Sequence, residues 1–222
     1  ILYPEEYKDM SVEELYALIL KEINVVDADS GERYKSRKRA EYIERALYMC
    51  PVCKKIGSYY SKGTHFTCTR CGATAEYTQQ LTIEPPIGGF TKVYEWFDWE
   101  RKEIAPRLLA GEVLHDEKIL FIDSVKCKRK IFLDGNAVSM DKNAITVHGE
   151  KETHVFPLAE IDAIAAVGKK KFNFYYHDKI YQIKGHDRFC AVKYVHAFNG
   201  IREAQTQNTH HVPDHSSEEE QA

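Results

Sequence analysis

The sequence predicts an α+β protein of several modules: helices at the N-terminus, a small β module that carries cysteines, and a small antiparallel β-barrel or sandwich capped by a C-terminal helix. Three observations predict it. Apolar residues recur at four-residue steps near the start of the chain. Two Cys-x-x-Cys pairs lie within residues 50–71. After about residue 118, short strand-like runs alternate with turn signals and end in one amphipathic helix.

The composition is that of a globular protein. The chain has 222 residues, 43% hydrophobic and 29% charged, which is one to two domains' worth of protein. Its best apolar runs, at residues 18–20 and 163–167, fall far short of the ~18 residues of a membrane-spanning helix. With 31 basic and 34 acidic residues the net charge is −3, so wholesale electrostatic binding of nucleic acid is not expected. Because the chain starts at Ile1 rather than Met, we expect it to be the downstream part of a longer protein.

Two helices are predicted before the cysteines. In residues 1–30, Ser11 and Glu14 form a capping box that starts a helix, and the four-residue spacing of Leu15, Ile19 and Ile23 predicts one buried face. After a break at residues 27–31, residues 31–49 are interpreted as a basic linker helix.

The cysteine module, residues 50–82, is the strongest chemical signal. Cys50 and Cys53 form one knuckle, and Cys68 and Cys71 form the other, with fourteen residues between them. This spacing is typical of a zinc ribbon, in which four thiolates hold Zn²⁺ tetrahedrally. Four thiolates leave no open position for water, so we interpret the Zn²⁺ as structural. A redox role for the cysteines is the alternative.

Other reactive residues are interpreted as structural. His65 is read as a strand residue, and Cys127 and Cys190 as core or half-exposed residues of the β domain. Residues 115–117 read His-Asp-Glu, which we interpret as an exposed turn. No nucleophile elbow, phosphate-binding glycine loop or His-Glu-x-x-His motif is present. The sequence therefore predicts no covalent chemistry by this chain alone.

The second half of the chain is divided by composition. Residues 83–117 are predicted to be a linker, marked by Pro and Gly at 85–89, and an aromatic helix over 93–109. Residues 118–204 form the β domain, with strands at 126–133, 144–148, 153–156, 171–176 and 179–184 and a helix at about 187–204. Residues 205–222 lack apolar anchors, which predicts a disordered tail.

Two basic clusters are candidates for contact with lipid or another phosphate. They comprise Lys35, Arg37, Lys38 and Arg39 in the first cluster, and Lys169, Lys170 and Lys171 in the second. Basic residues near an anionic surface contribute about 1 kcal/mol each. A solvated helix face explains the first cluster equally well, and a hairpin tip beside a core strand explains the second.

The first part of the chain resembles the end of the acyltransferase domain of 1-acyl-sn-glycerol-3-phosphate acyltransferases. Residues 4–7 read Pro-Glu-Glu-Tyr and residues 11–15 read Ser-Val-Glu-Glu-Leu, a turn and helix start similar to those of that family. Residues 38–48 run directly into Cys50 and resemble the extension of some Firmicutes lysophospholipid acyltransferases, which carry a zinc ribbon after the catalytic domain.

This resemblance implies a role without supplying a catalytic site. The family's His-x4-Asp pair and its Glu-Gly-Thr-Arg-like segment are absent from this sequence, so whether the chain counts as enzyme is uncertain and no catalytic residue is assigned. The parent enzyme would acylate a lysophospholipid such as lysophosphatidic acid. The chain would be its non-catalytic C-terminal portion, cytoplasmic or peripheral on the inner membrane face, with the upstream acyltransferase domain and anionic lipid as partners.

The β domain resembles the pleckstrin-homology (PH) or GRAM architecture of strands followed by one helix. That resemblance implies a module that binds a lipid headgroup or docks a protein. The competing hypotheses are a nucleic-acid-binding zinc-ribbon protein and a protein-interaction adaptor with no lipid role. The low pI of about 6.4 and the few bases between the knuckles argue against nucleic acid.

Overall fold

The structure, a computed structural model, describes residues 3–23, 31–125 and 129–209. Most of the predicted break at 27–31, Cys127 and the tail beyond residue 209 lie outside the described residues. Within the described ranges, no helix is both long enough and apolar enough to cross a membrane.

The N-terminal segment forms two helices, α1 (Pro4–Tyr7) and α2 (Val12–Ile23). The capping box is confirmed: the Ser11 N–H donates to Glu14 Oε2 at 2.8 Å, and the Glu14 N–H donates to Ser11 Oγ at 3.2 Å. No residue of α2 is buried among the described residues, so the predicted burial of one face stays a prediction. Leu15 and Leu18 are half-buried, and Val12, Tyr16 and Ile23 are exposed.

The basic helix predicted over residues 31–49 is wrong. This segment is irregular apart from a 3-10 turn at Ile43–Arg45. Tyr42 has a left-handed backbone with φ +68°, which an α-helix cannot accommodate. The Arg39 side chain donates to the Tyr77 carbonyl and pairs with Glu76, while the Ala40 N–H donates to the Gly63 carbonyl at 3.0 Å. These contacts hold the segment against the cysteine module, and the segment does not form a helix.

The cysteine module is a five-stranded antiparallel sheet with strands in chain order. The linker predicted at residues 85–89 is wrong, because these residues end one strand and turn into the next. A Cβ added at Gly88, which has φ +60°, would lie 2.6 Å from the Pro51 Cβ, so glycine lets this hairpin sit against the first knuckle. The strands are β1 (Tyr59–Lys62), β2 (His65–Cys68), β3 (Thr74–Tyr77), β4 (Thr82–Ile87) and β5 (Phe90–Lys92).

The aromatic helix α3 (Val93–Leu109) has the bounds that the sequence predicts. Its buried stripe of Trp96, Glu100, Ile104 and Leu108 recurs every four residues. The first of these side chains packs in the core of the cysteine module, and the last two pack in the core of the second half of the chain. Helix α3 therefore belongs to both halves of the molecule.

The second half is built from two antiparallel sheets and a C-terminal helix, and the structure shows no closed barrel among the described residues. The strand order is β11-β10-β9-β6 in the first sheet and β12-β13-β14-β7-β8 in the second. The first sheet contains β6 (Leu114–Glu117), β9 (Ala137–Met140), β10 (Ala144–His148) and β11 (Thr153–Pro157). The second contains β7 (Leu120–Val125), β8 (Arg129–Leu133), β12 (Ile161–Ala166), β13 (Lys171–Tyr176) and β14 (Lys179–Lys184).

One hydrophobic core joins the two sheets. Phe156 of the first sheet meets Phe174 of the second with ring centroids 4.9 Å apart. Helix α4 (Val192–Thr209) covers this core with Tyr194 and Phe198. It starts five residues later than predicted, because Phe189 and Cys190 are buried in the segment before it. It extends through residues 205–209, which the sequence assigned to the tail.

Candidate metal centre

The fold brings the four predicted cysteines together. Cys50 and Cys53 lie in the tight turn before β1, where Met49 forms an isolated β-bridge with Ile56. Cys68 ends β2, and Cys71 lies in the turn into β3. The four sulfur atoms all lie within 4.8 Å of one another.

The spacing of the sulfurs fits a tetrahedral ion. The Cys50 and Cys71 sulfurs are 3.7 Å apart, as are those of Cys53 and Cys68. Four thiolates around one Zn²⁺ with bonds of ~2.3 Å stand about 3.8 Å apart. A disulfide would need sulfurs at about 2.0 Å. The donor set therefore suits a metal ion held by four thiolates.

Backbone N–H groups surround the sulfurs. The N–H of Lys55 donates to the Cys53 sulfur, and that of Ala73 donates to the Cys71 sulfur. Both knuckles need a left-handed residue, Lys54 with φ +60° in the first and Gly72 with φ +76° in the second. These donors favour negative charge on the two sulfurs, but burial and the neighbouring sulfurs outweigh them and raise the pKa of both Cys53 and Cys71.

Cys68 is the sulfur most strongly poised for ionisation. Burial disfavours its thiolate, but the hydrogen bond with the Ser58 hydroxyl and those from the N–H groups of Cys71 and Arg70 outweigh burial and lower the pKa of Cys68 to about 6. Across the cluster, the Tyr59 hydroxyl donates to the Cys50 sulfur at 3.3 Å. Burial raises the pKa of Tyr59, so it remains a donor.

Helix α3 fastens the first knuckle. The indole Nε1 of Trp96 donates to the Met49 carbonyl at 2.9 Å, and Arg107 donates to the Lys54 carbonyl at 2.6 Å. The Trp96 ring also packs edge-on against Tyr59, with centroids 5.2 Å apart. The residues on either side of the first cysteine pair are thus held by the helix that enters the second core.

A second set of contacts ties the cysteine module to the segment before α4. Arg188 forms an ion pair with the buried Glu44, which also accepts from the Ser61 hydroxyl. The Arg188 guanidinium lies 4.0 Å from the ring centroid of Tyr60. Nearby, Arg45 donates to the Asp187 carbonyl at 2.6 Å.

Sequence reasoning missed the residues that make these contacts, and it missed Glu100, whose carboxylate accepts a hydrogen bond from the Met49 N–H at 2.6 Å. Glu100 had a usable signal, because it falls on the four-residue stripe between Trp96 and Ile104. Glu44 and Arg188 had none, because their partner lies 144 positions away in the chain.

The other predicted site residues are scattered. Lys35, Arg37, Lys38 and Lys169 are exposed. Lys171 is half-buried, and Lys170 pairs with Asp187. Arg39 is only 11% exposed and is committed to Glu76. His65 lies exposed on β2 and Cys190 is buried, as the sequence predicts.

Comparison with known proteins gives likeness to solved structures alone. No family model and no curated protein matches the chain. The chain is similar to the N-terminal PH domain of ARAP2 from human, with 12% identity, a TM-score of 0.34 and coverage of 51% of this chain and 91% of that one. It is also similar to Inner Membrane Complex Sub-compartment Protein 3 of Toxoplasma gondii, with 14% identity, a TM-score of 0.31 and coverage of 48% of this chain and 86% of that one. A third similar structure is the C-terminal domain of an unknown protein from Leishmania infantum, with 12% identity, a TM-score of 0.28 and coverage of 47% of this chain and 97% of that one.

Proposed function

We propose that the chain is the non-catalytic C-terminal portion of a phospholipid-biosynthesis acyltransferase. In this proposal a structural Zn²⁺ holds the zinc ribbon together, and the ribbon and a PH- or GRAM-like β unit dock as one body. This body positions the upstream acyltransferase domain at an anionic membrane surface. The observation that carries the proposal is the four-cysteine centre fastened to α3, the helix that enters both cores.

The placement of the metal centre supports a structural role. Four sulfurs fill a tetrahedral shell, and Cys50 and Cys68 share one buried core with Tyr59, Phe66 and Trp96. Zn²⁺ there would supply folding free energy to a sheet whose own core is small. The two sheets followed by α4 support the assignment of the second half to the PH- or GRAM-like class.

The exposed basic side chains support a membrane contact. Lys35, Arg37 and Lys38 are exposed bases within four positions of the segment that contacts the cysteine module. Lys38 lies 3.9 Å from Glu41 and its side chain is still 78% exposed. Three such charges contribute about 3 kcal/mol on an anionic surface, on the order of a hundredfold in affinity. Arg39 is left out of this contact because it is paired inside the molecule.

Helix α2 supports the link to an acyltransferase domain. Val12, Tyr16 and Ile23 are 79%, 63% and 72% exposed, although their spacing is that of a helix with a buried face. In the proposed enzyme this face packs on the catalytic domain.

Vesicle co-sedimentation tests the membrane contact. The zinc-loaded chain is spun with vesicles of phosphatidylcholine alone and with added phosphatidylserine, and we expect pelleting on the second only. Lys35→Ala/Arg37→Ala/Lys38→Ala should abolish pelleting. The matched control Lys55→Ala/Lys102→Ala/Lys142→Ala removes three exposed charges elsewhere and should pellet as the parent chain does. Equal loss in both triple variants, or no pelleting of the parent chain, would contradict docking by this segment.

The coding sequence upstream of Ile1 tests the enzyme assignment separately. We expect a His-x4-Asp motif roughly 130–180 residues before Ile1, given ordinary domain length. An unrelated upstream domain would overturn the acyltransferase assignment and leave a zinc-ribbon binding protein.

A further inference from the structure

A polar cup lies on the outer face of the first sheet of the second half, on β6, β9 and β10. Its volume is about 490 Å³. The sequence suggested an exposed turn at residues 115–117, but these residues are part of strand β6. The cup is lined by His115, Glu117, Lys118, Asn136, Ala137 and His148.

Strand register explains why these side chains meet. Ala137 on the middle strand β9 pairs with Glu117 on one side and with His148 on the other. His115 is two residues before Glu117 on the same strand and so shares its face. The small side chain of Ala137 leaves the floor open, and three ligating side chains rise around it.

Two of the three donors already lie near each other, although the three are not as close together as the four cysteine sulfurs. His115 Nε2 lies 3.8 Å from Glu117 Oε1. The rings of His115 and His148 have centroids 6.4 Å apart. Two imidazoles on one tetrahedral ion have centroids about 5 Å apart, given metal–nitrogen bonds of about 2.0–2.1 Å. The two rings must therefore approach each other by about 1 Å for both to bind one ion.

The surroundings of His148 suit a metal ligand. Its Nε2 is 2.9 Å from the Ser139 hydroxyl, which fixes the ring and leaves Nδ1 for an ion. Metal-bound histidines commonly use their second ring nitrogen in such a hydrogen bond. Two imidazoles and one carboxylate with open positions are a typical set for a divalent transition ion.

We propose that this cup is a second metal site, distinct from the four-cysteine centre, in which His115, His148 and Glu117 bind a divalent transition ion. The ion would join β6 to β10 across β9. Lys118 is the cationic side chain in the lining, and its charge weakens the site. The Lys118 charge also allows a test of metal binding against anion binding in the same cup. Removing this charge should strengthen the binding of a cation and weaken the binding of an anion.

Calorimetric titration with Ni²⁺ tests the proposal. The full chain is first loaded with Zn²⁺ at the cysteines, and His210, His211 and His215 of the tail are replaced by Ala in every protein so that they cannot bind the probe. We expect one equivalent of Ni²⁺ to bind without release of Zn²⁺. His115→Ala and His148→Ala should each weaken binding at least tenfold, Glu117→Gln should weaken it several-fold, and Lys118→Asn should strengthen it. Asn suits the left-handed backbone at 118, φ +56°.

His177 provides the matched control. It also has a carboxylate neighbour, Glu160, at 3.3 Å, and lies in the turn between β13 and β14 of the other sheet, at φ +51°. His177→Asn should bind Ni²⁺ as the parent chain does. Zinc content and the urea midpoint report whether each variant is folded. Unchanged Ni²⁺ affinity in folded His148→Ala, or weaker affinity in Lys118→Asn, overturns the proposal.

Discussion

The Glu100 carboxylate accepts a 2.6 Å hydrogen bond from the backbone N–H of Met49, the residue directly before the first cysteine of the metal centre. Glu100 is fully buried, and its Oε2 has no hydrogen-bond partner among the described residues. Burial therefore raises the pKa of Glu100 well above its ordinary value, although the N–H groups of Met49 and Tyr48 and the indole of Trp96 act in the opposite direction. Glu100 is therefore a titratable group at the contact between the cysteine module and α3.

Glu100 should make the chain less stable as the pH rises. Because its pKa is raised on folding, the folded chain binds more protons than the unfolded chain above the ordinary value of 4.5, and the free energy of unfolding falls with rising pH up to the folded pKa. Glu100→Gln keeps the acceptor for Met49 and does not titrate. We expect it to match the parent chain near pH 4.5 and to gain up to about 1.4 kcal/mol per pH unit above it.

Urea unfolding across this pH range, with Glu103→Gln as the control one turn along α3, measures the difference. The ionisation of the cysteines is common to all three proteins and cancels. If Glu100→Gln and Glu103→Gln have the same pH dependence, Glu100 does not carry the effect.

Trp96→Phe should loosen the first knuckle. The substitution removes the hydrogen bond to the buried Met49 carbonyl and part of a side chain that is 0% exposed. We expect a loss of about 2–4 kcal/mol in unfolding free energy and faster release of Zn²⁺ to a chelator. The control is Phe97→Leu, which alters a half-buried ring on the same helix that packs on His196 and should leave the release rate unchanged. Equal rates in both variants would mean that Trp96 does not hold the knuckle.

Arg188→Ala should destabilise the contact between the cysteine module and the second half of the chain. It leaves the Glu44 carboxylate, 7% exposed, without its cationic partner. Breaking a buried pair costs ~3–5 kcal/mol, and we expect about 2–3 kcal/mol here because Arg188 is partly exposed.

A second substitution separates the lost charge pair from lost packing. Arg188→Ala/Glu44→Gln should recover part of the stability, since the amide can still accept from Ser61. The exposed Arg70→Ala is the control and should change unfolding by less than about 0.5 kcal/mol. No recovery in the double variant would show that Arg188 acts through its other contacts, the hydrogen bond to the Ser61 carbonyl at 3.1 Å and the stacking on Tyr60.

Removal of one proposed zinc ligand should unfold the cysteine module. Cys68→Ser replaces a buried thiolate by a weaker ligand, and we expect loss of bound Zn²⁺ together with several kcal/mol of stability, given apparent zinc-binding energies of ~10–16 kcal/mol in small zinc domains. Cys190→Ala is the matched control, because Cys190 is buried but lies outside the cluster. It should retain Zn²⁺ and lose about 1 kcal/mol through its hydrogen bond to the Arg45 carbonyl. Retention of Zn²⁺ by Cys68→Ser would exclude Cys68 as a ligand.

The sequence predicted features that depend on local pattern. The cysteine cluster followed from spacing, and α3, β10, β13 and β14 followed from periodicity with the bounds found in the structure. The capping box of Ser11 and Glu14 is likewise local.

The wrong predictions were decided by distant contacts. Residues 31–49 carry helix-forming side chains, but Arg39 binds Glu76 and Tyr77 and the chain follows the sheet instead. The Pro-Gly stretch at 85–89 has the composition of a linker, yet Gly88 packs on Pro51 and completes a hairpin. Neither the contacts of Arg39 nor the contact of Gly88 with Pro51 can be recognised from the spacing of residues near them in the sequence. The cup at His115 and His148 likewise depends on the pairing of two strands with Ala137, which no spacing in the sequence reveals.

Native mass spectrometry of the purified chain, followed by thiol counting after denaturation with a chelator, tests the structural zinc centre most directly. We predict one Zn²⁺ per chain in the folded state and all six cysteines as free thiols once the ion is removed. A metal-free folded chain in which Cys50, Cys53, Cys68 and Cys71 form disulfides would contradict the structural zinc centre and favour a redox role.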